Sequence, residues 1–169
     1  MRTDIPTCGQ SPTRRTALKL SLAGLGLAAF SQSLVAQAGA ASNQIAVWKD
    51  PACGCCGEWI THLRQNNFQV TVNDTGNAAA RRRLGVPEKL GSCHTAQIEG
   101  YAIEGHVPAR EIRRLLKERP RVLGLTVPGM PVGSPGMDGP EYSGRSDPFD
   151  VLLIGPDGST RSYQSYHRS

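Results

Sequence analysis

The segment Ile45-Ala46-Val47-Trp48-Lys49-Asp50-Pro51-Ala52-Cys53-Gly54-Cys55-Cys56-Gly57-Glu58-Trp59-Ile60-Thr61-His62-Leu63 decides the fold. Ile45 to Trp48 is a short apolar run closed by Asp50-Pro51, which reads as a buried strand ending in a turn. Cys53 to Gly57 follows as a loop. From Glu58 onward Trp59, Ile60 and Leu63 recur at helical spacing, with Cys56 on the same face one turn earlier. A cysteine cluster therefore sits on a strand-to-helix turn, and its last member opens the helix.

Downstream, Phe68 to Val72 alternates as a second strand, and Asn77 to Leu84 reads as a short helix stopped by Gly85-Val86-Pro87. Thr95 to Ile98 and Tyr101 to Ile103 flank a Glu99-Gly100 turn. A helix then runs from Ala109 to Glu118 with Ile112, Leu115 and Leu116 on its apolar face. The order is βαβαββα. Residues 124 to 148 hold five prolines and six glycines, too many for a helix or a central strand. Val151 to Ile154 and Thr160 to Tyr163, around Gly155-Pro156-Asp157-Gly158, read as a terminal hairpin. The expectation is an α/β domain with a central mixed sheet flanked by helices, a Gly/Pro/Met-rich loop and a closing hairpin.

Before this domain, Arg14-Arg15 precedes an apolar stretch from Leu20 to Val35, followed by Ala36-Gln37-Ala38 and Ala38-Gly39-Ala40. This pattern resembles a twin-arginine export signal, cleaved between about residues 38 and 41. The stretch is too short and too interrupted, at Ser31, Gln32 and Ser33, to remain as a membrane span. The organisation expected is a leader over residues 1–40, carrying Cys8 away with it, and one periplasmic domain over 41–169.

The formal charge of +5 is largely a property of that leader. It holds four cations and one anion, and removing them from 19 and 14 leaves 15 Lys+Arg against 13 Asp+Glu. So weak a balance argues against a nucleic-acid partner. Arg81-Arg82-Arg83 and the basic positions from Arg110 to Arg121 lie in helices and read as solvated faces.

The exported domain keeps Cys53, Cys55, Cys56 and Cys93. In an oxidising compartment an even count suggests disulfides, yet adjacent Cys55 and Cys56 cannot readily bridge each other. Three thiols within four residues are better explained by a metal, or by a redox centre that exchanges partners. Thiolates suit Cu(I), zinc and iron-sulfur centres, and thioethers narrow the choice toward Cu(I). Met130 and Met137 supply them in an internal echo, Pro128-Gly129-Met130 and Pro135-Gly136-Met137. Copper, with more than one ion allowed, is the cofactor these donors favour. Cys53-x-x-Cys56 is also the spacing for dithiol exchange, and a helix N-terminus favours thiolate, so catalysis through Cys53 and Cys56 on protein disulfides is the alternative. His94 and His106 are further candidate ligands. His62 falls off the apolar helix face and reads as surface, as does His167.

The βαβαββα order with cysteines after the first strand resembles the thioredoxin superfamily. That likeness brings Gly91-Ser92-Cys93-His94-Thr95 beside the cysteine turn, although Ser92-Cys93-His94 stands where such proteins carry a cis-proline. Lys49-Asp50-Pro51, Cys53 through Trp59, Ser92-Cys93-His94-Thr95-Ala96, Glu104-Gly105-His106-Val107-Pro108 and Gly124 through Met137 together resemble the domain-of-unknown-function 411 family of CopG-like copper-resistance proteins. The resemblance implies a periplasmic thioredoxin-like protein that binds copper through Cys53, Cys55, Cys56 and Cys93, with His94, His106, Met130 and Met137 in matching motifs. It also implies work alongside other periplasmic copper-handling proteins.

Overall fold

The computed structural model describes residues 42–167. The leader read over residues 1–40, with Cys8, lies outside the described residues. Seven strands, β1 (Gln44–Lys49), β2 (Gln69–Asn73), β3 (His94–Ile98), β4 (Tyr101–Glu104), β5 (Gly124–Thr126), β6 (Phe149–Ile154) and β7 (Thr160–Tyr166), form one sheet in the order β2-β1-β3-β4-β5-β6-β7. The β1/β2 and β4/β5 junctions are parallel and the other four antiparallel. This is the mixed α/β sheet expected, and the β2-β1-β3-β4 portion is compatible with a thioredoxin-like arrangement.

Three helices pack on it: α1 (Gly54–Gln65), α2 (Ala78–Arg83) and α3 (Ala109–Glu118). The period of two along the strands separates two apolar layers. Ile103 and Leu153 join the larger core with Trp59, Ile60 and Leu63 of α1 and Ile112, Leu115 and Leu116 of α3. Their sequence neighbours Ala102 and Ile154 point the other way, into a smaller cluster with Val86 and Leu90 after α2. Among the described residues no helix is long and apolar enough to cross a membrane.

One expectation is overturned. The stretch after Gly124 was too rich in Gly and Pro to offer a central strand, yet Gly124–Thr126 is one, between β4 and β6. The glycine makes it possible, because a Cβ on residue 124 would lie 1.7 Å from the Ala102 carbonyl oxygen. Backbone cannot yield as a side-chain tip can. Gly124→Ala is expected to lower stability by about 3 kcal/mol, the upper end for overpacking, read as a lower urea midpoint; an unchanged midpoint contradicts this strand register.

Candidate metal and thiol centre

β1 ends in a turn closed by Cys53 N–H donating to Asp50 O (3.0 Å), with Ala52 N–H on Asp50 Oδ1 (2.9 Å). Cys53 takes the N-cap position of α1 in extended backbone. The next residues enter the helix, and its winding sets Cys55 at the rim and Cys56 inside, fully buried. Gly136 packs against this first turn so closely that a Cβ there would lie 2.7 Å from the Trp59 nitrogen and 2.8 Å from Cys55 O. The second Pro-Gly-Met turn is thereby seated on the cysteine-bearing helix.

Cys93 arrives from the opposite direction, at the mouth of β3, because antiparallel pairing sets His94 across from Lys49 at the end of β1. The Sγ atoms of Cys53, Cys55, Cys56 and Cys93 all lie within 4.8 Å of one another. Cys53 Sγ is 3.6 Å from Cys55 Sγ, and Cys55 Sγ is 3.8 Å from Cys93 Sγ. Cys53 and Cys56 are joined as a disulfide, and Cys55 and Cys93 are free, half-buried thiols. The sequence argued against a simple disulfide account; the structure closes the outer pair of Cys53-x-x-Cys56 and leaves the other two open.

Two imidazoles complete a second group. Cys93 Sγ lies 3.3 Å from His94 Nδ1 and 3.2 Å from His106 Nε2, and the three residues form a cluster of potential ligands. His106 Nδ1 lies 2.9 Å from the Pro135 carbonyl oxygen. A carbonyl can only accept, so Nδ1 carries the proton and Nε2 presents its lone pair toward Cys93. His94 is fully buried, 4.2 Å centroid to centroid from Trp59, and its Nε2 has no hydrogen-bond partner. A donor set of half-buried thiols and buried imidazoles with one orphaned nitrogen fits a soft or borderline metal ion.

The methionines divide. Met130, 51% exposed, puts Sδ 3.9 Å from Cys55 Sγ. Met137 instead accepts the Tyr142 hydroxyl on its sulfur at 3.4 Å.

Burial, with the Cys55 thiol alongside, pushes the Cys93 thiol up to about 12. It is therefore protonated at neutral pH without metal, and any metal it takes must displace a proton.

Residues 90–137 match the family described as protein of unknown function, DUF411. The solved structure of copper resistance protein CopG, form 1, is 43% identical, with 75% of this chain and 98% of that chain covered and a TM-score of 0.68. Form 2 is 45% identical, with coverages of 73% and 97% and a TM-score of 0.65. This chain belongs to the CopG-like DUF411 family. Among curated proteins none matches it.

Two residues of this CopG-like chain differ from their sequence reading. His62 was expected at the surface; it is half-buried, and its Nε2 accepts the Ala109 N–H at 3.1 Å, capping α3 from α1. Arg81 was read as part of a solvated basic face, but its side chain is 12% exposed and paired to the buried Glu104. Nothing in the run Arg81-Arg82-Arg83 distinguishes the inward arginine from its neighbours. His167 is exposed, as expected.

The imidazoles give this CopG-like domain a pH dependence. Burial is the main cause holding His62 and His106 below the ordinary 6.5 and His94 well below it, with the nearby His106 also lowering His94. When pH falls through 6.5 the unfolded chain takes up protons that the folded chain refuses. The contribution is thus fully present above 6.5 and lost as pH falls toward the lower folded values. The urea midpoint of metal-free protein is expected to drop on acidification from about pH 7 to about pH 5, the range where imidazole titrates. A flat profile there would exclude neutral burial.

Proposed function

We propose that this protein is a periplasmic Cu(I)-binding protein of copper resistance, holding the metal through Cys53, Cys55, Cys56 and Cys93. The observation that carries the reading is the convergence of four sulfurs within 4.8 Å in a chain whose relatives are named for copper resistance. Thiolates are soft donors matched to Cu(I). His106 Nε2 and His94 stand next to Cys93 as nitrogen donors, Met130 stands at the open side beside Cys55, and Met137 would join only after giving up Tyr142. Export through the twin-arginine leader places the site where copper handling meets an oxidising environment, and copper-handling proteins of that compartment are the partners that fit.

The disulfide supplies a condition on binding. With Cys53 and Cys56 bridged, only two thiols remain as donors; exchange with an external dithiol, which leaves oxidised as its own disulfide, reduces the bridge and restores four. Copper then enters as thiol protons leave, so affinity rises with pH. Elemental analysis of mature protein from copper-supplemented cells, with X-ray absorption at the copper edge, tests the reading. Expected are retained copper, the cuprous valence and sulfur ligation. Less than one copper per chain, with loading unchanged in Cys53→Ser/Cys56→Ser, would overturn it.

A second reading, a thiol-disulfide oxidoreductase acting on proteins, is favoured by the Cys53–Cys56 bridge at a helix start. It expects metal-independent turnover in an insulin-reduction assay. Inactivity of the reduced apo form excludes it.

A further inference from the structure

Cys93 reaches the helix-borne thiols from Gly91–Cys93, a stretch outside any strand, and the residue before it finds its polar partners in side chains. The Ser92 N–H donates to Glu104 Oε1 at 2.7 Å. The Ser92 carbonyl accepts from Arg81 Nη2 at 2.5 Å and from Asn77 Nδ2 at 3.1 Å. Beyond His94, Thr95 Oγ1 donates to Glu104 Oε2 at 2.6 Å. One carboxylate therefore grips the chain on both sides of Cys93-His94, one oxygen to each side. Ser92 Oγ also donates to Gly129 O at 2.5 Å, which ties the turn carrying Met130 to the same point.

Glu104 is fully buried on β4, and Arg81 Nε and Nη2 reach its Oε1 at 3.0 and 2.8 Å. Buried ion pairs are a poor source of net stability, because desolvation offsets the attraction. An apolar pair could fill this space as well. What it could not supply is two directed acceptors, charge-assisted and short, at fixed positions under a loop.

We propose that Glu104, backed by Arg81, is the positioning residue for the Cys93 thiol: it touches no sulfur, yet it fixes where Cys93 stands relative to Cys55. The copper consequence rests on the proposed function. The positional claim does not, and can be read in the metal-free protein.

The test uses the full mature chain, reduced and free of metal, treated with iodoacetamide, with the rates at Cys93 and Cys55 followed separately by peptide mass analysis. The ratio of the two rates is internal to each molecule, so a uniform loss of stability does not move it. In Glu104→Gln and Thr95→Val the ratio of Cys93 to Cys55 is expected to rise severalfold as the loop loosens, and Thr95→Ser, which keeps the hydroxyl, should return it to the wild-type value. Ile154→Val serves as a core-weakening control outside the network and should leave the ratio unchanged. A wild-type ratio in Thr95→Val overturns the proposal, and that variant decides the matter alone if Glu104→Gln does not fold. In a second arm, copper affinity of Thr95→Val should fall roughly tenfold or more, the scale found for groups that orient metal ligands. Wild-type protein that fails to bind copper would sink the proposed function and leave the alkylation result to judge Glu104.

Discussion

Cys93→Ser is expected to weaken Cu(I) binding by the reduced protein roughly a hundredfold. The scale follows from four-ligand structural zinc sites, whose apparent binding energy of ~10–16 kcal/mol spreads to about 3 kcal/mol per ligand, or about two powers of ten in affinity. Serine is close to cysteine in size but offers a hard oxygen where Cu(I) prefers sulfur. Cys93 is also the thiol that comes from outside the α1 turn, and its sulfur is the one shared with His94 and His106. Losing it therefore separates the two donor groups as well as removing a ligand. Competition against a chromophoric Cu(I) chelator gives the affinity, with far-UV circular dichroism to show that the fold is kept. An affinity within about twofold of wild type, under 0.5 kcal/mol, would remove Cys93 from the ligand set.

Trp59→Ala should produce the largest loss of stability, about 3–5 kcal/mol. Trp59 is fully buried in the main core, its ring packs against that of His94 at a tilt of 34°, and its Nε1–H donates to the Val107 carbonyl at 2.9 Å. Truncation opens a cavity between α1 and the sheet and leaves that carbonyl without a partner. Trp59→Phe separates the two contributions: a large ring remains but the donor is gone, so a smaller loss of about 1–3 kcal/mol is expected. Urea unfolding of metal-free protein measures both. If Trp59→Ala cost less than about 1 kcal/mol, the site would have collapsed around the smaller side chain, contrary to the usual behaviour of packed interiors. Loss of this ring contact should also free His94 to change its orientation, so copper affinity is expected to fall in Trp59→Ala even at temperatures where it stays folded.

The first half of the fold was legible because its signals are local. A β-run closed by Asp50-Pro51, helical spacing of Trp59, Ile60 and Leu63, and the paired apolar strands around Glu99-Gly100 each follow from a few adjacent residues. β5 was hidden because three residues are too few to carry a period, and the surrounding Gly and Pro outweigh them; its glycine answers to a neighbour, Ala102, more than twenty positions away. The four cysteines and His94 and His106 stood out as chemistry-bearing types, and the structure places them in two groups that share Cys93. Their pairing could not be read, since Cys53-x-x-Cys56 serves a disulfide and a metal equally. The Arg81–Glu104 grip on Ser92 was out of reach for a different reason. Charged residues read as solvent-facing unless something identifies their partner, and here the partners lie 23 positions apart on different elements.

The separation of Cys55 and Cys93 by 38 positions has a thermodynamic meaning. A peptide holding only Cys53 to Cys56 has three sulfurs at high mutual concentration, whereas the fourth meets them only when β1 and β3 have paired and the intervening loop has closed. The complete set of donors is thus a property of the folded chain alone. Any ion that uses all four must bind native protein in preference to unfolded, and at a free concentration a thousand times its dissociation constant that preference adds about 4 kcal/mol to stability. Cargo and fold then share one equilibrium: loading resists heat and proteolysis, and unloading returns the domain to the lower stability its own core provides.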